Sequence, residues 1–219
     1  MLVSEKNRIS GHAVYTWSVL KMYDLFVGWF SNRFVWGCLS NNILNTYNRF
    51  VSSNHLEVGP GTGYFLDRCT FPCGSPRLAL LDINNNCLEM TRKRIVRYHP
   101  ECYNASILEP LNIAVSGFDS ISMNYVLHCL PGTMASKESV FVNLKQYLNP
   151  GGVIFGTTIL GRGVPTGILA TAFMTVYNKT GIFSNTCDDR EMLSLVLERQ
   201  FSEHTLKIRG CAAVFSARI

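Results

Sequence analysis

No run of apolar residues in this chain is long enough to cross a bilayer. The nearest candidate, Leu20 to Trp36, is broken by Lys21, Asp24, Asn32 and Arg33, so stable membrane insertion is not expected. Charge of one sign is scarce as well. With 20 Lys+Arg against 15 Asp+Glu the formal charge is only +5, and apart from Thr91-Arg92-Lys93-Arg94 the basic residues are scattered. That cluster reads as a solvated helix face rather than a phosphate stripe, so nucleic acid is not an expected partner. Zinc-ligand spacing is missing too. Of 8 cysteines only Cys69 and Cys73 lie close together, and no second pair faces them, so no metal site is expected. The first ten residues carry Glu5, Lys6 and Arg8 and no apolar core, which speaks against a signal peptide. The cysteines are then expected to be reduced thiols, in a cytoplasmic protein. Repeats and low-complexity tracts are absent.

What the 219 residues do contain fits one α/β domain with a modest extra element. Residues 14–51 read as helical: Val19, Tyr23, Phe26, Val27 and Phe30 recur at helix spacing, as do Ile43, Leu44, Tyr47, Phe50 and Val51. Residues 1–53 are therefore expected to form a helical cap, and residues 54–219 a catalytic domain. From Asn54 onward strands alternate with helices, the pattern of a parallel sheet covered on both faces. Strands are expected near 54–58, 78–82, 103–107, 118–124 and 152–159, with Asn149-Pro150-Gly151-Gly152 turning into the last. Helices are expected from Gly63, from Asn85 to Tyr98 and from Ser136 to Leu148, with Asp188 and Glu191 resembling a capping box for another. Two final strands, Phe201 to Ile208 and Cys211 to Ala217, are joined by only Arg209-Gly210. A link that short holds no crossover helix, so the pair must be an antiparallel hairpin. The expected fold is a Rossmann-like, seven-stranded, mostly parallel sheet ending in an antiparallel hairpin.

The most informative segment is H-L-E-V-G-P-G-T-G, His55 to Gly63, where an apolar strand runs into a glycine turn. The next strand ends on Asp82. In a dinucleotide fold the turn reads G-x-G-x-x-G. Here the third glycine comes one residue early, at Gly63, and the position that pattern requires is Tyr64, which argues against a nicotinamide cofactor. Glu57 adds a carboxylate that suits a cationic group and would repel a pyrophosphate. Glycines let backbone approach a ligand closely, and Asp82 can accept hydrogen bonds from ribose hydroxyls. A ligand with an ammonium, a ribose and no phosphate describes S-adenosylmethionine. The plain alternative is a strand-to-helix turn whose glycines merely make room.

On these residues the chain resembles the class I S-adenosylmethionine-dependent methyltransferases, small stand-alone ones acting on metabolites above all. E-V-G-P-G-T-G at 57–63 resembles the family's first motif and L-L-D-I at 80–83 its acidic second-strand end. A-S-I-L-E-P-L at 105–111, F-D-S-I-S-M-N-Y at 118–125 and L-N-P-G-G-V-I-F-G at 148–156 are similar to later segments of the fold. The resemblance implies that Glu57 holds the methionine ammonium, and that Gly59, Pro60, Gly61, Thr62 and Gly63 wrap the methionine moiety. It further implies that Asp82 binds the ribose hydroxyls, that Ile83 packs on the adenine, and that Asn124 lines the channel beside the sulfonium. The position of Ser106 is often an aspartate in the family; a serine accepts the adenine amino group more weakly, which shifts weight to the Ile107 N–H.

Methyl transfer from a sulfonium asks the protein mainly for orientation, water exclusion and, for some acceptors, removal of a proton. His128, just past the fourth strand, is the candidate base, against the alternative of a packing or hydrogen-bonding histidine. His12 is a second candidate. The aromatics Tyr15, Trp17, Tyr23, Trp29, Phe30 and Trp36 suggest an apolar substrate chamber, with Tyr15 at the sulfonium; the alternatives are a core stripe or a homodimer face. Gly161-Arg162-Gly163-Val164-Pro165 and an apolar helix, Ile168 to Tyr177, make a second lid piece in which Arg162 could attract an anionic acceptor. The function expected is methyl transfer to an apolar small molecule. Non-methylating use of the bound sulfonium, as in a pericyclic or cyclisation reaction, and a non-catalytic binding module are the competing readings.

Overall fold

The computed structural model of the chain describes residues 34–219. Tyr15 and His12, and the aromatics from Trp17 to Phe30, lie outside the described residues. Seven strands form one sheet: β1 (Asn54–Val58), β2 (Arg77–Asp82), β3 (Glu101–Asn104), β4 (Phe118–Asn124), β5 (Leu148–Ile159), β6 (Glu203–Arg209) and β7 (Ala212–Arg218). Their spatial order is β3-β2-β1-β4-β5-β7-β6. The five strands from β3 across to β5 pair in parallel, whereas β7 runs antiparallel to both β5 and β6. The expected sheet and closing hairpin are therefore present. Chain order reverses between β1 and β4, and an open α/β sheet binds ligands beyond the strand ends at such a point.

Among the described residues the α-helices are α1 (Ser40–Phe50), α2 (Tyr64–Arg68), α3 (Asn85–Arg94), α4 (Glu138–Lys145), α5 (Ile168–Lys179) and α6 (Arg190–Gln200). Side chains alternate across the strands, so Leu56 and Val58 of β1 face one layer while His55 and Glu57 face the other. The first layer packs Ile121, Met123, Phe141, Leu144, Val196 and Phe215. The second packs Ile43, Tyr47, Leu66, Leu80 and Phe155. Helix α1 belongs to this second core: Ile43 and Tyr47, four residues apart, are its buried stripe.

Several boundaries differ from expectation for physical reasons. Strand β3 ends at Asn104, not near 107, because it is a short edge strand with little burial and hence little alternation to read. Strand β5 begins at Leu148: Asn149 to Gly152 are absorbed by a register shift against β4, where Phe118 pairs with Leu148 but Ser120 with Val153. Helix α4 is shorter than its apolar stripe, starting at Glu138 and ending at Lys145. The N-cap of α6 is Asp189, whose Oδ1 accepts the Met192 N–H at 2.8 Å. Asp188, expected in that role, is instead buried against Lys137.

Candidate active site

The chain leaves β1 at Val58 and turns at once. Gly59 N–H donates to Leu81 O at 2.8 Å, and Gly63 N–H to Pro60 O at 2.9 Å. Gly59, Gly61 and Gly63 all have positive φ (64°, 57° and 74°), a region costly for residues with a side chain. Their surroundings differ. A Cβ on Gly59 would run into Val126, and one on Gly63 would lie 2.8 Å from the Thr91 side chain. A Cβ on Gly61 would meet nothing among the described residues within 4 Å. Gly59 and Gly63 thus satisfy packing, while Gly61 faces space that the described residues leave open. The Thr62 hydroxyl accepts from Arg94 at 3.2 Å and is buried against α3, so its backbone rather than its side chain is placed for a ligand.

Asp82 ends β2 beside this turn. Its Oδ1 accepts the Asn84 N–H at 2.8 Å. Burial pushes its carboxyl up to about 6, against the pull of the Asn84 and Ile83 backbone N–H groups. The next residue, Ile83, is 45% exposed, an apolar side chain offered to solvent next to a partly buried acid. Asn104 holds the backbone there by donating to Asp82 O and Ile83 O. After β3, Ser106 Oγ accepts the Leu108 N–H at 3.3 Å, and Asn143 of α4 donates to Ile107 O and Glu109 O at 3.0 and 2.9 Å.

Below the turn, Glu57 is buried among donors. Oε1 accepts from Tyr47 Oη at 2.7 Å; Oε2 accepts from Ser122 Oγ and lies 3.4 Å from His55 Nε2. His55 Nδ1 reaches Ser120 Oγ at 2.7 Å, which in turn meets the Ser52 hydroxyl and N–H. At the end of β4, Asn124 is buried, and among the described residues both amide atoms lack a hydrogen-bond partner. Thr157, its register partner on β5, has an unpaired buried hydroxyl in the same sense. Orphaned polar atoms in a protein interior call for a partner. Tyr125 follows with φ 59°, a strained setting for an aromatic residue at the mouth of the sheet.

His128 sits in a short helical turn after β4, almost fully buried. Its Nδ1 accepts the Ile159 N–H at 3.2 Å and lies 3.4 Å from Thr158 Oγ1. Phe183 packs edge-on against the ring at 4.4 Å. Burial first, then the Lys137 charge, pulls the imidazole down to about 3. Burial thus favours the neutral, hydrogen-bonding form of the imidazole in this structure. Arg162 is engaged by Asp189, through Nε at 3.0 Å and a second nitrogen at 2.8 Å.

Glu57, Gly59 to Gly63, Asp82, Ile83 and Asn124 therefore converge on the strand ends at the reversal point, with Ser106 and Ile107 on the loop after the neighbouring β3. An open glycine, an acid, an exposed aliphatic neighbour and an unpaired amide fit an adenosyl ligand bearing an amino acid. Sequence reasoning placed Tyr47 only in a core stripe and passed over His55, Ser122, Asn143 and Thr157. An asparagine on the buried side of α4, and a Ser-x-Ser-x-Asn alternation along β4, were the available signals. Among the described residues no cluster of His, Cys, Asp and Glu could hold a metal, and no helix is long and apolar enough to cross a membrane.

Residues 56–154 match a family model described as a methyltransferase domain. Demethylluteothin O-methyltransferase of Streptomyces thioluteus is 37% identical over 95% of this chain and 91% of its own length. The N-methyltransferase vrtF of Penicillium aethiopicum is 36% identical over 83% of this chain and 76% of its own. Among solved structures, the complex of DhpI with S-adenosylhomocysteine shares the fold with a TM-score of 0.70 at 12% identity, covering 99% of this chain and 98% of that one.

Proposed function

This chain belongs to the S-adenosylmethionine-dependent methyltransferases, and from that premise we propose that it methylates an apolar small molecule of the secondary-metabolite kind. The bound cofactor supplies an activated methyl group on a sulfonium. The observation that carries the acceptor class is the likeness along 95% of the chain to an enzyme named as the O-methyltransferase of demethylluteothin, with a further likeness along 83% of it to one named as an N-methyltransferase.

Their placement supports the following roles. Asp82 accepts the ribose hydroxyls, and Ile83 covers one face of the adenine, with Ser106 and the Ile107 N–H at its edge. Glu57 receives the ammonium, and Gly59 to Gly63 give the methionine moiety a backbone free of side chains. Pro60 stiffens that turn. Asn124 donates and accepts beside the reacting centre. His128 keeps its acceptor nitrogen on the β5 backbone and packs the wall of the site. The chain's work is to align the acceptor with the methyl group and to exclude water.

The N-terminal cap of residues 1–53 belongs to the same proposal, its residues 1–33 lying outside the described residues. Val35 and Trp36, near the start of the described residues, pack with Ala170 and Met174 of α5, the helix of the second lid piece. A reducing, cytoplasmic setting suits eight free thiols.

The test is to incubate the protein with S-adenosylmethionine and a panel of apolar phenols, enols and amines, and to follow products by mass spectrometry. Gain of one methyl with release of S-adenosylhomocysteine is expected for lipophilic acceptors. Turnover confined to charged, highly polar acceptors would overturn the acceptor class.

A further inference from the structure

We propose that Tyr47 is a positioning residue for cofactor recognition: with Ser122 it holds the Glu57 carboxylate in the orientation that receives the ammonium of S-adenosylmethionine. The inference rests on the placement of Glu57 at that ammonium and deepens it.

His55 and Glu57 share a face of β1, and Ser120 and Ser122 stand opposite them on β4. This puts a polar row across a sheet layer that is otherwise apolar, between α1 and the strands. A glutamate side chain has three rotatable bonds, and a buried one without partners would choose among rotamers or demand other donors. Here each oxygen has its own hydroxyl donor: Tyr47 on Oε1 at 2.7 Å, Ser122 on Oε2. His55 Nε2 stands 3.0 Å from Ser122 Oγ and braces that second donor.

Tyr47 is itself fixed. Its ring stacks on Phe65 at 5.6 Å and meets the edge of Phe155 at 5.3 Å, so the phenol has one direction in which to donate. Burial, then the Glu57 charge, pushes the phenol's ionisation well above its usual range, which keeps the proton on the oxygen. Phe65 lies in α2, the helix that the glycine turn opens. One aromatic contact thus joins the Tyr47 clamp to the element that cradles the methionine moiety.

A merely structural network would stabilise the fold without discriminating between parts of the cofactor. A positioning clamp acts on the amino-acid end alone. The experiment measures binding of S-adenosylhomocysteine and of 5′-methylthioadenosine, which lacks the amino-acid portion, by calorimetry on the full chain. Tyr47→Phe and Ser122→Ala each remove one donor and keep the volume nearly intact. Each is expected to weaken S-adenosylhomocysteine about 5- to 30-fold and to leave methylthioadenosine within about twofold. Equal weakening of both ligands, or of neither, overturns the proposal. If one variant fails to fold, by its thermal transition, the other carries the same reading. Glu57→Gln separates the two levels. If it spares the preference for the amino-acid-bearing ligand, the placement of Glu57 itself is wrong. If it abolishes that preference while Tyr47→Phe and Ser122→Ala do not, only the positioning role falls.

Discussion

Lys137 and Asp188 form a fully buried ion pair, Nζ to Oδ2 at 2.6 Å. The lysine also donates to Ser184 O at 2.8 Å, and Asp188 O accepts the N–H groups of Gly161 and Arg162. The pair therefore ties the start of α4 to the turns on both sides of α5. Burial draws both groups toward neutrality, lowering the lysine and raising the aspartate, and the short contact opposes it. Breaking one partner strands the other. Lys137→Met is expected to cost about 3–5 kcal/mol in urea unfolding, and Lys137→Met with Asp188→Leu to recover most of it. A double variant as unstable as the single would show that the ion pair is not the source.

The three glycines of the turn should respond differently to alanine. Each substitution incurs the left-handed penalty of about 1–2 kcal/mol. Gly59→Ala and Gly63→Ala add collisions with Val126 and Thr91, so both should lower the melting temperature markedly. Gly61→Ala adds no collision with the described residues and should stay folded, yet its methyl group enters the space assigned to the cofactor. A melting temperature lowered only by the backbone penalty, with a loss of S-adenosylhomocysteine affinity, is the expected signature for Gly61→Ala alone.

Cofactor binding should depend on pH through Asp82. Hydroxyl donors need the ionised carboxylate, and burial sets its titration at about 6 in the free protein. Affinity for S-adenosylhomocysteine is then level above that pH and falls as pH drops, by about tenfold per unit. Asp82→Asn should bind about 10- to 100-fold more weakly at pH 7.5 and lose this dependence. Calorimetry at several pH values checks both; a wild-type profile flat from pH 7.5 to 5 would remove Asp82 from the ribose.

How much of this was legible depended on distance along the chain. The glycine turn and Asp82 are local signals, read within a strand and its following bend, and they lie where the sequence pattern puts them. The hairpin was equally local, because a two-residue link leaves no room for another solution; the structure shifts that link by one residue, from the expected Arg209-Gly210 to Gly210-Cys211. Tyr47, by contrast, shows only helix periodicity in the sequence. Its bond to Glu57 depends on how α1 lies across the sheet, and Ser122 is 65 residues from Glu57. His128 is a different case: a histidine beyond a parallel strand suggests chemistry, and tertiary packing, which the sequence does not show, sets how readily it titrates. Asp188 and Asp189 are adjacent and chemically identical, so only the path of the chain could tell the cap from the ion-pair partner.

For His128 the structure makes a stability claim with a definite sign. The imidazole titrates near 6.5 when unfolded and at about 3 when folded, because burial disfavours its charged form. Between those values the unfolded chain binds the extra proton and the folded one does not, so this residue's contribution is complete above pH 6.5 and is lost as pH falls. The loss amounts to about 1.4 kcal/mol per pH unit in that window. His128→Asn keeps an acceptor for the Ile159 N–H and removes the titration. Its stability, measured by urea unfolding, should fall less steeply with acid than that of the wild type; Asp82 acts in both proteins and cancels in the comparison. The same variant decides the catalytic question. A positioned base contributes about 100- to 10,000-fold to a rate, whereas a packing histidine replaced by an acceptor of similar reach should cost only a few-fold. A hundredfold fall in methyl transfer at unchanged S-adenosylhomocysteine affinity would return His128 to the role of base.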